Sequence, residues 1–498
     1  MHRRGFLAAG LATVLASPRA LAQMKMDHMS TKPGMGGHSG HDMGDMSQGA
    51  TMLPEGKALR ELQLLANEAA RPGLFKARLT AEPAVACFAE GQDTPIPAYN
   101  GQSPGPLIEA FEGDRVEITF ANRIGEEAST IHWHGMPVPA DQDGNPMDPV
   151  AAGNDRIYAF DLPDGSAGSY WYHPHPHGKT AEQVYRGLAG AFVVKSKVDP
   201  VPAEYGDTVL VLSDLRLAAD GSMPANTMSD LMNGRVGDYV LVNGQKNPRL
   251  SVAKGAKRRL RLYNATNARF LKLAFDGAPT TIIGTDGGLL EKPVTADEIL
   301  LSPAERIELV VSFDKPGPAD YDRGWMGPGR PADAGLTLLT VDVSETPVQA
   351  VPPLPERLRP IAPLPAPALS RRLVFTETMA INATGMEMGF LINGKAFDMA
   401  RVDIVAKAGE TELWEIVNQA DMDHPFHVHG TQFQVFERER DGIISKPSYL
   451  AWKDTVNVAR GETVRLLLRQ ERPGPRMYHC HILEHEQLGM MGVLDVQA

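Results

Sequence analysis

The chain has 498 residues, 43% hydrophobic and 22% charged, which is too long for one core and suits about three domains of a soluble globular protein. Its formal net charge of −12 argues against nucleic acid and against an anionic membrane surface as partners.

Residues 1–22 read as an export signal. Arg3-Arg4-Gly5-Phe6-Leu7 opens an apolar run through Ala16, and Ala20-Leu21-Ala22 offers a small-x-small cleavage site. The run is too short to span a membrane, and no later segment approaches that length. The paired arginines resemble a twin-arginine signal, which predicts a periplasmic protein exported folded; an ordinary Sec signal is the alternative. Residues 23–57 are low in complexity and carry Met24, Met26, Met29, Met35, Met43, Met46 and Met52 with His28, His38 and His41. Such a segment buries no core and is expected to be disordered. It reads either as a plain linker or as a soft-metal capture segment, since thioethers favour Cu(I).

Beyond this the chain repeats itself. Tyr99-Asn100-Gly101, Val242-Asn243-Gly244 and Ile392-Asn393-Gly394 are each followed by a second glycine turn, at Gly113, Gly255 and Gly409, and an alternating strand. Asn-Gly turns between short alternating strands are what β-sandwiches need, so three tandem β domains are expected. They fall at 58–198, 199–345 and 370–498. The connector 346–369 is rich in proline and reads as semi-rigid. The second domain has no histidine and no cysteine and reads as a spacer that brings the other two together. Cys87, in Ala-Val-Ala-Cys-Phe, is expected to be a small buried residue and not a redox partner.

Histidines cluster at the two ends of this array. His-x-His occurs at 132/134, 173/175, 175/177, 427/429 and 479/481, and alternation puts each pair on one face of an extended segment. Met477-Tyr478-His479-Cys480-His481, with His485 and Met490 behind it, combines a thiolate, an imidazole and a thioether. With a second imidazole from elsewhere that is the ligand set of a blue-copper electron-transfer site. His479 and His481 point away from Cys480 and so toward a second metal centre.

Ile131–Gly135, Tyr172–Gly178, His424–Gly430 and Met477–His481 match in order and spacing the four signature segments of the multicopper oxidase family. The chain resembles this family over nearly its whole length after residue 58, and within it the three-domain bacterial copper-tolerance type (cuprous oxidases and laccases). The resemblance implies an all-β fold of three tandem cupredoxin-like Greek-key β-sandwich domains and four copper ions. The type 1 ion would be held by His424, Cys480, His485 and axial Met490. His132 and His429 would hold the type 2 ion. His134, His173, His175, His427, His479 and His481 would hold the type 3 pair. It further implies one-electron oxidation of a reductant at the type 1 site and electron transfer from Cys480 through its flanking histidines. Dioxygen would be reduced by four electrons to water, with Asp143 and Glu486 relaying protons. His177 is left for a solvent channel or a third ligand on its strand face.

The reductant follows less directly. His424 is the expected point at which electrons enter, and Asp421, Met422 and Asp423 lead into it. Met379, Met386 and Met388 lie upstream, and together these would suit a transient Cu(I) site. The Met/His-rich insertion usual in the third domain of such relatives is short here, which predicts a less covered type 1 site open to bulky phenols. The expected activity is periplasmic Cu(I) oxidation, with phenols as further reductants, by a monomer without a membrane span. A laccase with phenols as main reductants is the alternative. A copper-sequestering protein and a copper-free division-associated protein are the rivals from other classes.

Overall fold

The computed structural model describes residues 52–314, 317–322, 335–348, 351–382 and 385–498. The export signal and the Met/His-rich segment, Met52 to Lys57 excepted, lie outside the described residues. Thirty strands and three short α-helices, α1 (Thr180–Tyr185), α2 (Met228–Asn233) and α3 (Leu483–Gln487), are formed among them. Among the described residues, no helix is long and apolar enough to cross a membrane.

Three sandwiches follow one another. In the first, Thr94–Tyr99, Leu74–Ala86, Arg115–Asn122 and Asp155–Asp161 form one sheet. Ile108–Phe111, Gly190–Lys195, Gly168–His173 and His132–His134 form the other. The third sandwich pairs a six-stranded sheet, Gly385–Ile392 to Ile443–Ser445, with a five-stranded one that carries His424–Val428 and Gly474–Cys480. Each sandwich starts with a parallel crossover: Leu74–Ala86 beside Arg115–Asn122, Thr208–Leu215 beside Ala256–Asn264, Leu369–Asn382 beside Thr411–Asn418. Strand alternation builds the interiors. In Glu462–Arg469 every second residue, including Val464, Leu466 and Leu468, is buried in a core with Trp414 and Phe426. The all-β architecture of three cupredoxin-like units is therefore the one expected.

The Asn-Gly repeats have one physical cause. Asn100, Asn243 and Asn393 adopt φ of 50°, 50° and 54°, and the glycines after them 71°, 76° and 71°, as a tight left-handed turn requires. In each, the asparagine Oδ1 accepts from a strand N–H (Thr80, Val211 and Val374 at 2.7, 2.8 and 2.8 Å). Its Nδ2 donates to the carbonyl two residues earlier (Arg78, Val209, Arg372). The side chain thus splices the turn onto the first strand of its unit.

The proline-rich connector is anchored to its neighbours: Leu364 N donates to Gln434 Oε1, Gln434 Nε2 to Ala362 O, and Tyr205 Oη to Pro352 O. One expectation needs correction. Cys87 is exposed, its thiol 3.4 Å from Asp93 Oδ1, because it follows the strand Leu74–Ala86 past the point where that strand is covered.

Candidate metal centre

Two neighbouring strands of the third unit set up everything else. His424–Val428 pairs with Gly474–Cys480 so that Phe426 faces Cys480 and His427 faces His479. Alternation then sends Cys480 into the sandwich core and His427, His429 and His479 to the opposite side. In the first unit His132 pairs with His173 across two short strands. Gly135, after the second histidine, is required: a Cβ there would stand 2.1 Å from Asp454 Oδ2.

The first donor group is His424, Cys480 and His485, whose ligand atoms lie within 4.8 Å of one another and are all buried. His424 Nδ1 is 3.3 Å from Cys480 Sγ and 3.4 Å from His485 Nδ1. Met490 is fully buried in the same core, and its carbonyl accepts from Cys480 N at 3.0 Å. Ile482 N donates to the sulfur at 3.3 Å. Phe390 stacks on the His485 ring at 3.8 Å. The other His485 nitrogen, Nε2, donates to Met232 O of α2 at 3.2 Å.

This corrects the expectation of a lightly covered site. The side chains of His424, Cys480, His485 and Met490 are wholly buried, and α2, from the middle unit, lies over the His485 edge. The residues leading into His424 split by parity. Met422, two before it, is buried with it, while Asp421 is exposed. Asp423 is engaged, accepting from Asn457 Nδ2 and Arg460 N. Met379 is 56% exposed and pairs in register with the half-buried Met388; the Met386 side chain lies outside the described residues. Asp421 N donates to Glu377 Oε1 at 2.7 Å. Burial and a proton shared with the Asp421 carboxyl push Glu377 up to about 7.

The second donor group gathers eight buried histidines from the four expected segments. His132 stacks on His429, and His134 on His427, each at 3.8 Å. His479 Nε2 lies 3.3 Å from His175 Nε2 and 3.1 Å from His429 Nε2. Such spacing suits neighbouring ligands with metal–nitrogen bonds of about 2 Å. The other ring nitrogens are anchored. His132 Nδ1 donates to Asp143 O at 2.9 Å, His173 Nδ1 to Pro174 O at 3.0 Å and His427 Nδ1 to Asp454 O at 2.8 Å. A carbonyl only accepts, so Nε2 keeps the lone pair. His132, His173 and His427 each leave Nε2 buried with no partner, and His134 leaves Nδ1 so. A cluster of orphaned, inward-facing imidazole nitrogens beside a buried thiol is costly unless metal fills it, and the donor set suits copper. His177 is exposed, packs on Phe397 at 5.1 Å and joins neither group.

Burial, reinforced by neighbouring imidazoles, holds His134, His175, His427, His429 and His481 well below the usual histidine range. Burial takes His424 and His479 down to about 3. All are thus neutral at physiological pH, as metal ligands must be. Burial pushes the Cys480 thiol up. Asp143 Oδ2 accepts from His429 Nδ1 at 3.1 Å, and its carbonyl from His132, so one residue orients two ligands. Glu486, buried beside α1, lies 3.9 Å from His175 Nδ1, and burial pushes it up to about 8.

Arg306, Asp286 and Asp454, fully buried against the second group, carry no motif that sequence reasoning could use.

The comparisons agree with this geometry. Three family models described as multicopper oxidase match residues 81–199, 206–326 and 367–498. The multicopper oxidase mco of Staphylococcus haemolyticus is 34% identical over 80% of this chain and 83% of its own. The cell division protein FtsP of Escherichia coli is 32% identical over 82% and 87%. Among solved structures, a metallo-oxidase of Campylobacter jejuni is 40% identical, with a TM-score of 0.83 over 90% of this chain and 96% of that one. A laccase-like CueO of Ochrobactrum sp., with oxidase activity towards lignin model compounds and lignosulfonate, is 30% identical. Its TM-score is 0.77 over 90% and 100%. The chain belongs to the multicopper oxidase family, and with that membership come copper cofactors, dioxygen and a reducing substrate.

Proposed function

We propose that the chain is a periplasmic cuprous oxidase serving copper tolerance, with phenols as slower reductants. In this reading His424, Cys480, His485 and Met490 hold a type 1 copper. His132, His134, His173, His175, His427, His429, His479 and His481 hold a type 2 ion and a type 3 pair between them, with His175, His429 and His479 close enough to meet on one ion. The observation that carries it is the pair of buried donor groups, one with thiolate chemistry and one of imidazoles alone, joined through the tripeptide His479-Cys480-His481. Bound copper would supply one-electron oxidation of the reductant and four-electron reduction of dioxygen.

The protein's own share is positioning and protons. Cys480 is joined directly by a peptide bond on each side to a ligand of the other group, the shortest covalent link between the two. Glu486 holds a proton at neutral pH beside His175 and can release it inward. Asp143 orients His132 and His429. Burial of every ligand excludes water.

The cover of α2 over His485 and the shared-proton pair Glu377–Asp421 near exposed Met379 favour a small soft cation over a bulky ring. The likeness to the Ochrobactrum protein favours the second reading, a laccase. The complete donor set favours turnover over the structural role that the likeness to FtsP suggests. Oxygen uptake by copper-loaded protein decides. A much higher kcat/KM for Cu(I), with phenol oxidation dependent on added Cu(II), supports the cuprous oxidase. Efficient phenol oxidation without added copper makes it a laccase.

A further inference from the structure

The middle unit supplies none of the expected ligands, yet its best-buried cation points at them. Arg306 opens the strand Arg306–Phe313 and is completely buried. Its Nε donates to Ser169 O of the first unit at 2.8 Å. Nη1 donates to Asp454 Oδ1 at 2.7 Å and Nη2 to Asp454 Oδ2 at 2.5 Å, a two-pronged grip on the third unit. Asp286, also of the middle unit, accepts from Arg306 N at 2.8 Å and through its other oxygen from Asp454 N at 3.3 Å. Lys453 bridges Asp286 and Glu305 at 3.0 Å each. Asp454 is therefore fixed by backbone and by side chain.

What Asp454 does with that rigidity is specific. Its Oδ1 lies 3.0 Å from His134 Nε2, and its carbonyl 2.8 Å from His427 Nδ1. Both carboxylate oxygens accept from the Arg306 guanidinium, so His134 donates from Nε2 and turns Nδ1 inward. His132, His173, His427, His429 and His479 are all anchored the other way, through Nδ1. Of these six anchored histidines, His134 alone presents the opposite nitrogen. The nearness of the two nitrogens to the ring's Cβ differs, so the choice also sets how far the ring reaches into the site.

We infer that Arg306 and Asp454 are positioning residues that fix the tautomer and reach of His134, which makes the middle unit a working part of the imidazole site. This rests on the type 3 reading above. Two variants of the full-length protein test it, Asp454→Asn and Arg306→Lys. Copper per chain is measured by atomic absorption, the coupled pair by its near-ultraviolet absorption, the type 1 ion by its visible band, and the copper-free fold by thermal melting. Asp454→Asn keeps the shape, but its amide sets a donor against either Arg306 or His134. We expect copper per chain to fall by about half, from the type 3 pair, with the visible band retained and the copper-free melting curve near that of the parent. Arg306→Lys keeps the charge should Asp454→Asn not fold, and is expected to show the same selective loss to a smaller degree. A folded variant with the full complement and an unchanged coupled pair overturns the inference, as does equal loss of type 1 and type 3 copper. A parent protein that binds no coupled pair overturns the functional reading itself, and this inference falls with it.

Discussion

Glu486 Oε1 lies 3.9 Å from His175 Nδ1, both side chains buried, and neither oxygen of the carboxyl has a fixed hydrogen-bond donor close enough to satisfy it. A buried acid pushed up to about 8, one residue after the expected type 1 ligand His485, is a proton held in reserve beside the imidazole site. For Glu486→Gln we expect oxygen reduction to slow by roughly 100-fold or more, the range of general acid catalysis, while reduction of the type 1 site by substrate is unchanged. Stopped-flow measurement of the visible band under anaerobic and aerobic conditions separates the two steps.

The same shift has a stability consequence of definite sign. The folded state keeps a Glu486 proton that the unfolded chain releases above pH 4.5, so this residue costs stability as pH rises from 4.5 toward 8 and costs nothing below 4.5. Copper-free Glu486→Gln should therefore be the more stable protein at pH 7, by roughly 3 kcal/mol, with the difference vanishing near pH 4. Denaturant melts at the two pH values check it.

The histidines act in the opposite direction. His424 and His479 fall from 6.5 to about 3 on folding, so the unfolded chain binds their protons first and stability is lost as pH drops from 6.5 toward 3. At pH 5 each costs roughly 2 kcal/mol relative to pH 7, and the other buried imidazoles add to this. Copper-free protein should unfold in mild acid well before copper-loaded protein does, because ligation blocks those protons. Coincident acid transitions for the two forms would contradict it.

Cover over the His485 edge of the first donor group comes from α2, held by a capping box in which Thr227 and Asp230 bond reciprocally and by the Arg216–Asp230 ion pair at 2.8 Å. Thr227→Ala should cost about 1 kcal/mol of local stability and loosen the Met232 carbonyl from His485. We expect kcat/KM for a bulky phenol to rise several-fold with that for Cu(I) little changed. Steady-state kinetics with both reductants gives the answer.

Much of this was legible in the sequence wherever a local pattern carried it. The Asn-Gly turns, the alternating strands and the His-x-His pairs each declare themselves within a few residues, and all eight histidines expected at the imidazole site meet there. Longer-range features left no trace. Arg306 and Asp454 are 148 residues apart, and each alone reads as surface charge. The cover over His485 has no signature in the third unit, because α2 comes from the second. Met422 sits between two aspartates in sequence, but its even spacing from His424 puts it inside. Cys87 looked buried from its apolar neighbours, but it lies beyond the covered end of its strand.

In the proposed function, reductant oxidation is coupled to complete reduction of dioxygen. The most direct test is the stoichiometry of Cu(I) consumed against dioxygen consumed by copper-loaded protein, with peroxide assayed in parallel. Four Cu(I) per dioxygen and no peroxide are expected, the result of an intact imidazole site fed through Cys480. Two Cu(I) per dioxygen with peroxide accumulating, or no uptake above that of free Cu(I), would contradict it.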